Sequence, residues 1–230
     1  MQSKIFTITI GLLLTAMISG AQVKDLDGNT YTIVKIGTQT WMAQNPSVSQ
    51  FRNGVKILEA RTNEEWIDAA KTETPAWCYF NNDTTLGKKY GKLYNWYAIH
   101  GDFVLAPDNF VIADKASWEL LTTYLGGLDT AGYHIKSSEG WSQKMNKTSG
   151  GGSNISGFTG LPAGSRSKNG RFGSLESYTN WWTSTPNATM TGGWNISVGY
   201  YDNKVSLKIA YDKDDGNGIG DGYSVRCIQK

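Results

Sequence analysis

The chain has 230 residues, and 22 Lys and Arg balance 20 Asp and Glu to a formal net charge of +2. A near-neutral chain without a polybasic run gives no electrostatic reason to expect nucleic acid or an anionic membrane as a partner. The chain also contains 27 glycines, nine tryptophans and twelve tyrosines. This composition favours short strands, long ordered loops and an aromatic core.

The first 21 residues are typical of a secretory signal peptide. Lys4 supplies the positive charge, an apolar run spans 5–18, and the small residues 19–21 (SGA) predict cleavage before Gln22. The apolar run is too short for a spanning helix. We therefore expect a mature chain of residues 22–230 that forms one domain with no membrane span. We expect it to be a monomer that is exported to the periplasm, the cell surface or the medium.

Turn formers and capping residues mark the first elements of the mature chain. The segment 27–29 (DGN) predicts a hairpin turn, because Gly and Asn adopt the positive φ angles of tight turns. A short strand is expected at 39–42. Thr62 and Glu65 have the spacing of a capping box, which predicts the first helix.

The middle and late parts of the chain combine one further helix with many strands. Residues 90–99 are expected to form a central strand, and Asp114 is the predicted N-cap of a helix over 115–125. The segment 129–157 is expected to be a long loop. The fold class is α+β, with two helices and mostly antiparallel strands; the late strands are predicted at 165–175 (a hairpin), 181–185, 194–201, 204–211 and 222–230.

The only two cysteines are Cys78 and Cys227. An exported protein folds in an oxidising compartment, so a Cys78–Cys227 disulfide is the default expectation. The alternative is a reactive thiol pair, although no histidine or basic cluster flanks either cysteine to lower its pKa.

Four motifs in order along the chain resemble those of the Fibrobacter-type major paralogous domain: 37–45 (GTQTWMAQN), 90–98 (YGKLYNWYA), 156–162 (SGFTGLP) and 222–227 (GYSVRC). The resemblance implies a secreted or surface domain of bacteria related to the Bacteroidetes and Fibrobacter groups. It also implies a C-type-lectin-like fold, shared distantly with the formylglycine-generating, sulfatase-modifying enzymes. The family has no firmly established biochemical role.

One segment departs from the family pattern. Where members usually carry Gly-Trp-His-Val-Pro-Thr-Asp, this chain has 109–115 (NFVIADK), so no role of that histidine is carried over. The copper-dependent thiol chemistry of the formylglycine-generating enzymes needs paired cysteines near the C-terminus. Cys227 has no such neighbour.

Two kinds of binding residue are candidates. The first kind is aromatic, because exposed aromatic side chains stack on sugar rings or anchor protein interfaces. The candidates in the loop-rich part are Trp141, Tyr178, Trp181 and Trp182. Alternation along a strand predicts that either Trp181 or Trp182 points away from the core. The calcium-ligating patterns of C-type lectins are absent. The second kind is an acidic, glycine-rich loop, which is either a solvated turn or a calcium site. The calcium ligands would be Asp212, Asp214, Asp215, Asn217 and Asp221. No other cofactor is expected.

The sequence therefore predicts a non-catalytic binding or surface module whose ligand is a glycan or another protein, met by the region 140–185. An unrecognised extracytoplasmic enzyme is the first alternative. Its acid–base groups would come from His100, His134 or the carboxylates Glu119, Glu139 and Glu176. A structural part of a surface assembly is the second alternative.

Overall fold

The structure is a computed structural model that describes residues 21–189, 191–211 and 218–230, with Tyr211 described by its backbone alone. Apart from Ala21, the predicted signal peptide lies outside the described residues. So do four of the five residues predicted to ligate calcium, namely Asp212, Asp214, Asp215 and Asn217.

The described chain is α+β and rich in short strands, as predicted. In chain order the strands are β1 (Gln22–Lys24), β2 (Thr30–Ile36), β3 (Gln39–Met42), β4 (Leu58–Glu59), β5 (Ala76–Cys78), β6 (Leu93–Tyr94), β7 (Phe110–Ile112), β8 (Ala163–Arg166), β9 (Phe172–Leu175), β10 (Tyr178–Pro186), β11 (Gly192–Gly199), β12 (Val205–Tyr211), β13 (Ser224–Val225) and β14 (Cys227–Gln229). The helices are α1 (Asn63–Lys71), α2 (Thr84–Tyr90), α3 (Lys115–Tyr124) and α4 (Ala131–Ile135).

Local capping explains where the two predicted helices begin. The Thr62 hydroxyl accepts the Glu65 N–H, and the Glu65 carboxylate accepts the Thr62 N–H, so the capping box of α1 is complete. At α3 the Asp114 carboxylate accepts the N–H of Ser117. Among the described residues, no helix has the length and apolar character needed to cross a bilayer.

The described strands form three sheets. One has the order β1-β2-β3-β14-β7, a second has the order β12-β11-β10-β8-β9 with β13 also paired to β10, and a third has the order β4-β5-β6. Most of the pairs are antiparallel, but β10 runs parallel to both β8 and β13, and β4 runs parallel to β5. Strand β10 is therefore the centre of the second sheet and organises the late part of the chain.

The C-terminal segment joins two of these sheets. It is predicted as one continuous strand, but β13 pairs with β10 and β14 pairs with β3 and β7. Arg226 stands at the crossover and is fully buried. Its Nη1 donates to the carbonyls of Met42 and Phe158 at 2.9 and 2.8 Å, and its guanidinium lies 4.1 Å from the centre of the Phe158 ring.

Two predicted elements differ from those observed. The segment 90–99 forms only the two-residue strand β6 and then a 3₁₀ turn at Trp96–Ala98, where the Asn95 side chain accepts the N–H of Ala98. An asparagine that caps a turn ends the strand there. The segment 129–157 contains helix α4, and α2 was not predicted from the sequence.

The predicted Cys78–Cys227 disulfide is absent, and both cysteines are free and fully buried. They lie on strands of different sheets, Cys78 on β5 and Cys227 on β14, and pack into different hydrophobic clusters. Burial raises the pKa of each thiol to about 12, although Arg166 and Arg226 act in the opposite direction. At neutral pH both are therefore protonated and inert.

We expect the purified chain of residues 22–230 to show no reactive thiol when native and two when unfolded. Ellman's reagent at pH 8, with and without guanidinium chloride, measures both states, because the reagent reads exposed thiolates. Failure to detect any thiol in the denaturant would mean that the two cysteines are joined after all.

Replacing Arg226 with Met should lower the free energy of unfolding by about 2–4 kcal/mol, because two buried carbonyls lose their donor. The matched control is Arg171→Met, since Arg171 is exposed on the β8–β9 hairpin and its loss should cost less than about 0.5 kcal/mol. Urea unfolding followed by tryptophan fluorescence compares the two. Equal midpoints would contradict the structural role of Arg226.

Candidate functional site

The adjacent tryptophans of β10 are both in the core. Trp182 packs against Tyr223, with ring centres 4.6 Å apart, whereas Trp181 packs against Trp118 at 5.4 Å in a separate cluster. Both are 0% exposed. The prediction that one of them points away from the core is wrong, because β10 is covered on both faces.

The other two predicted aromatic residues differ in exposure. Trp141 is buried, and its Nε1 donates to the Ser137 hydroxyl at 3.1 Å and to the Gly160 carbonyl at 3.2 Å. Tyr178 is half-buried, with its ring centre 5.7 Å from that of the exposed Tyr201. Burial and a hydrogen bond to Tyr201 raise the pKa of Tyr178 to about 12. Of the four predicted aromatics, Tyr178 is thus the one near a surface.

Asp221, the one described residue of the predicted calcium set, holds a loop in place. Its carboxylate accepts the N–H of Lys168 at 2.7 Å, the N–H of Gly218 at 3.3 Å and the Tyr223 hydroxyl at 2.8 Å. Burial raises its pKa. Within the described ranges, no three His, Cys, Asp or Glu side chains come together in a way that could hold a metal ion.

The two histidines lie apart from any nucleophile. The His100 ring stacks on Trp96 with centres 5.1 Å apart, and His134 lies edge-on to Tyr133 on α4. Within the described residues, no hydrogen bond connects either imidazole to a hydroxyl or thiol side chain. Glu119, a candidate acid–base carboxylate, forms an ion pair with Lys115 one turn earlier in α3.

A cleft of about 420 Å³ lies between α2 and the β2–β3 hairpin, and we call it the α2 cleft. Its lining combines aromatic rings with amide, hydroxyl and amine side chains, and polar groups of this kind orient a ligand in a pocket. Its lining residues are Asn29, Thr30, Tyr31, Ala43, Gln44, Asn45, Ser47, Tyr79, Gly87, Lys88, Lys89, Tyr90, Gly91, Thr159 and Leu161.

Asn45 forms the floor of the α2 cleft and connects it to the core. Its Nδ2 donates to the Tyr90 carbonyl at 2.9 Å and to the Ser224 hydroxyl at 3.2 Å, and its Oδ1 accepts the Trp181 indole N–H at 2.8 Å. Gly91 ends α2 with φ of 81°, and a Cβ there would lie 2.9 Å from Asn45. Glycine is needed at this point for the helix end to approach the floor.

The β2 side of the cleft is held by Tyr31. Its hydroxyl donates to the Asp25 carboxylate at 2.6 Å and accepts the N–H of Ser47 at 2.9 Å. Burial is the main cause that raises the pKa of Tyr31. This phenol is therefore protonated at physiological pH and serves as a fixed part of the wall.

The α2 side is built on Tyr79 and Gly87. A Cβ on Gly87 would lie 2.1 Å from the Tyr79 ring, so the ring rests directly on the helix backbone. The Tyr79 ring also packs edge-on against Trp77 at 5.2 Å. Only glycine at position 87 leaves the space for this ring, and the ring is thereby fixed as a flat wall of the cleft.

Several polar groups at the rim remain available to a ligand. The Gln44 Oε1 accepts the Thr32 N–H at 2.9 Å, and among the described residues its Nε2 has no hydrogen-bond partner. Asn29 uses its Nδ2 to reach Asp25, which leaves its Oδ1 as an acceptor. Lys88 and Lys89 are exposed in the last turn of α2.

Sequence reasoning missed this site because it missed α2. One signal was available, since the Asp83 carboxylate accepts the N–H groups of Thr85 and Leu86 as a helix N-cap. The segment 84–90 (TTLGKKY) lacks a long apolar stripe, and its helix depends on packing against Tyr79.

Replacing Asn45 with Ala should lower the free energy of unfolding by about 2–4 kcal/mol, since the buried Trp181 N–H and Tyr90 carbonyl lose their partners. The neighbouring change Gln44→Ala removes one exposed hydrogen bond and should cost less than about 1 kcal/mol. Chemical denaturation of both variants tests the difference. Similar losses at the two positions would contradict the role of Asn45 as the connection to the core.

A scan against protein-family models matches residues 34–229 to the Fibrobacter succinogenes major domain. No curated protein and no solved structure matches the chain. The matched region contains α2, the cleft floor at Asn45 and the C-terminal crossover at Arg226. The chain therefore belongs to the Fibrobacter succinogenes major domain family.

Proposed function

We propose that this protein is a non-catalytic binding module that holds a glycan in the α2 cleft. The observation that carries the proposal is the combination of a fixed tyrosine wall with amide and amine groups around the rim. Sugars present apolar C–H faces that pack on aromatic rings, and hydroxyl groups that pair with amides. Tyr79 supplies the ring, and Gln44 and Asn29 supply the hydrogen-bonding groups.

Binding is favoured over catalysis by the chemistry of the lining. Glycoside hydrolysis needs two carboxyl groups on either side of the scissile bond, and the lining of the α2 cleft includes no Asp or Glu side chain. A thiol mechanism needs an accessible thiolate, whereas Cys78 and Cys227 are buried and protonated.

Export and a C-type-lectin-like fold are part of the same proposal. The short apolar run that follows Lys4 and the small residues before Gln22 support cleavage of a signal peptide. The mixed, mostly antiparallel sheets with few helices are compatible with a lectin-like architecture. A glycan-binding module of this kind acts outside the cytoplasm, in the periplasm, at the cell surface or in the medium.

A protein partner is the second candidate, favoured by one surface. Leu120 and Tyr124 of α3 are 50% and 64% exposed, and Leu128 and Tyr133 beyond them are 46% and 44% exposed. Leu120 and Tyr124 share one face of α3, since they are four residues apart in the helix, and exposed apolar patches are a feature of protein interfaces. A structural role in a surface assembly would use the same face.

A glycan array probed with the mature chain, with and without calcium, tests the proposal. We expect binding without calcium, and a loss of at least tenfold in affinity when Tyr79 is replaced with Ala, because the ring wall is lost. Since α2 packs against Tyr79, the change Gln44→Ala, which leaves that packing intact, should weaken binding as well. The matched control is Tyr201→Ala, which removes an exposed tyrosine outside the cleft. If Tyr201→Ala abolished binding and Tyr79→Ala did not, the binding site would lie near Tyr178 and not in the α2 cleft. If no glycan bound at all, a protein partner would be favoured.

A further inference from the structure

The lining of the α2 cleft is unbalanced in charge. Lys88 and Lys89 contribute two ammonium groups, and no lining residue is acidic. Both lysines are exposed, so their charges stay solvated until a ligand covers them. A cleft lined by one sign of charge raises the local concentration of ligands of the opposite sign.

A third amine lies behind the cleft wall. Lys92 is 3% exposed, and its Nζ lies 3.6 Å from the centre of the Trp77 ring and 5.7 Å from that of Tyr79. No carboxylate of the described residues pairs with it within salt-bridge distance. Burial lowers its pKa to about 8, so it still carries most of its charge at neutral pH.

Three carboxylates attract the Lys92 charge, namely Asp27, Glu59 and Asp25, and none of them lines the cleft. Glu59 is paired with Arg61. Asp25 is buried, and its oxygens accept hydrogen bonds from Asn29 and from the Tyr31 hydroxyl. Asp27 accepts the side-chain amide of Gln50 and the N–H of Ser49.

The two exposed lysines have a second physical effect, since cations in the last turn stabilise a helix. That effect needs no direct contact with a carbonyl, so both ammonium groups can also pair with a ligand. The carbonyl of Tyr90 at the helix end is already taken by the Asn45 amide. The Nζ of Lys89 lies 4.9 Å from the centre of the Tyr90 ring, a residue that lines the cleft.

We infer that the α2 cleft selects an acidic glycan, whose carboxylate or sulfate groups pair with Lys88 and Lys89 while a sugar face packs on Tyr79. This inference rests on the proposed glycan-binding function and adds the charge class of its ligand. Lys92 adds positive potential behind the wall without contacting the ligand. Uronic acids and sulfated sugars share the chemistry that these amines would recognise.

The test compares matched pairs of probes by isothermal titration calorimetry at low salt. Oligogalacturonate is paired with its methyl ester, and sulfated galactan oligosaccharides are paired with their desulfated forms, so that the second member of each pair is neutral. In at least one pair we expect the acidic member to bind at least tenfold tighter, with an affinity that falls as salt rises. Whichever pair responds identifies the carboxylate or the sulfate as the recognised group.

Charge reversal then locates the effect. The double change Lys88→Glu and Lys89→Glu should abolish the preference for the acidic probe, and weak binding of its neutral partner should persist. The control Lys144→Glu with Lys147→Glu makes the same change in net charge on the 142–149 loop, which does not line the cleft, and should leave the preference intact. Thermal melts establish that all variants fold.

Three results would overturn the inference. Equal affinity for the acidic and neutral members of both pairs would remove the charge preference but leave the glycan-binding function standing. If both charge-reversed variants lost the preference for the acidic probe equally, the preference would come from the net charge of the protein and not from the α2 cleft. No binding of any of the four probes would overturn the charge class. The glycan array separately decides whether the glycan-binding function fails with it.

Discussion

The buried guanidinium of Arg226 is the contact on which the assembly of the sheets depends. It stands between β13 and β14, where the chain leaves one sheet and enters another. By donating to the carbonyls of Met42 and Phe158, it joins the end of β3 and the 156–162 segment to the C-terminus. The Arg226 carbonyl also accepts the N–H of Ala113 at 2.9 Å, so hydrogen bonds from both the backbone and the side chain hold this residue in the core.

Two other fully buried cations, Lys136 and Arg166, also donate hydrogen bonds to several backbone carbonyls. Lys136 donates to the carbonyls of Gly150, Gly199 and Asp202 at 2.7, 3.1 and 2.7 Å. Arg166 donates to the carbonyls of Ala60, Thr62 and Gly170. Long glycine-rich loops expose many carbonyls and few apolar groups, so cations with several donors hold them in place where aliphatic packing is sparse.

Local sequence signals predicted the elements that depend on local interactions. The capping box of α1, the Asp114 cap of α3, the turn at 27–29 and the hairpin over 165–175 all appear where the pattern placed them. The crossover at Arg226, the burial of both Trp181 and Trp182 and the separation of the two cysteines depend on which sheet each strand joins. Strand alternation shows which residues share a face, but it does not show whether the other face is covered.

The candidate site also combines parts that depend on long-range contacts with parts that do not. Its floor is held by contacts between residues far apart in sequence, above all the hydrogen bond from Trp181 to Asn45, and no local pattern shows such a contact. Its rim, by contrast, consists of exposed side chains such as Gln44, Lys88 and Lys89. Substitutions at the rim leave the bonds of Asn45 untouched. The charge and hydrogen-bonding character of the α2 cleft can therefore change with little cost in stability, because its rim side chains take no part in the contacts that hold its floor.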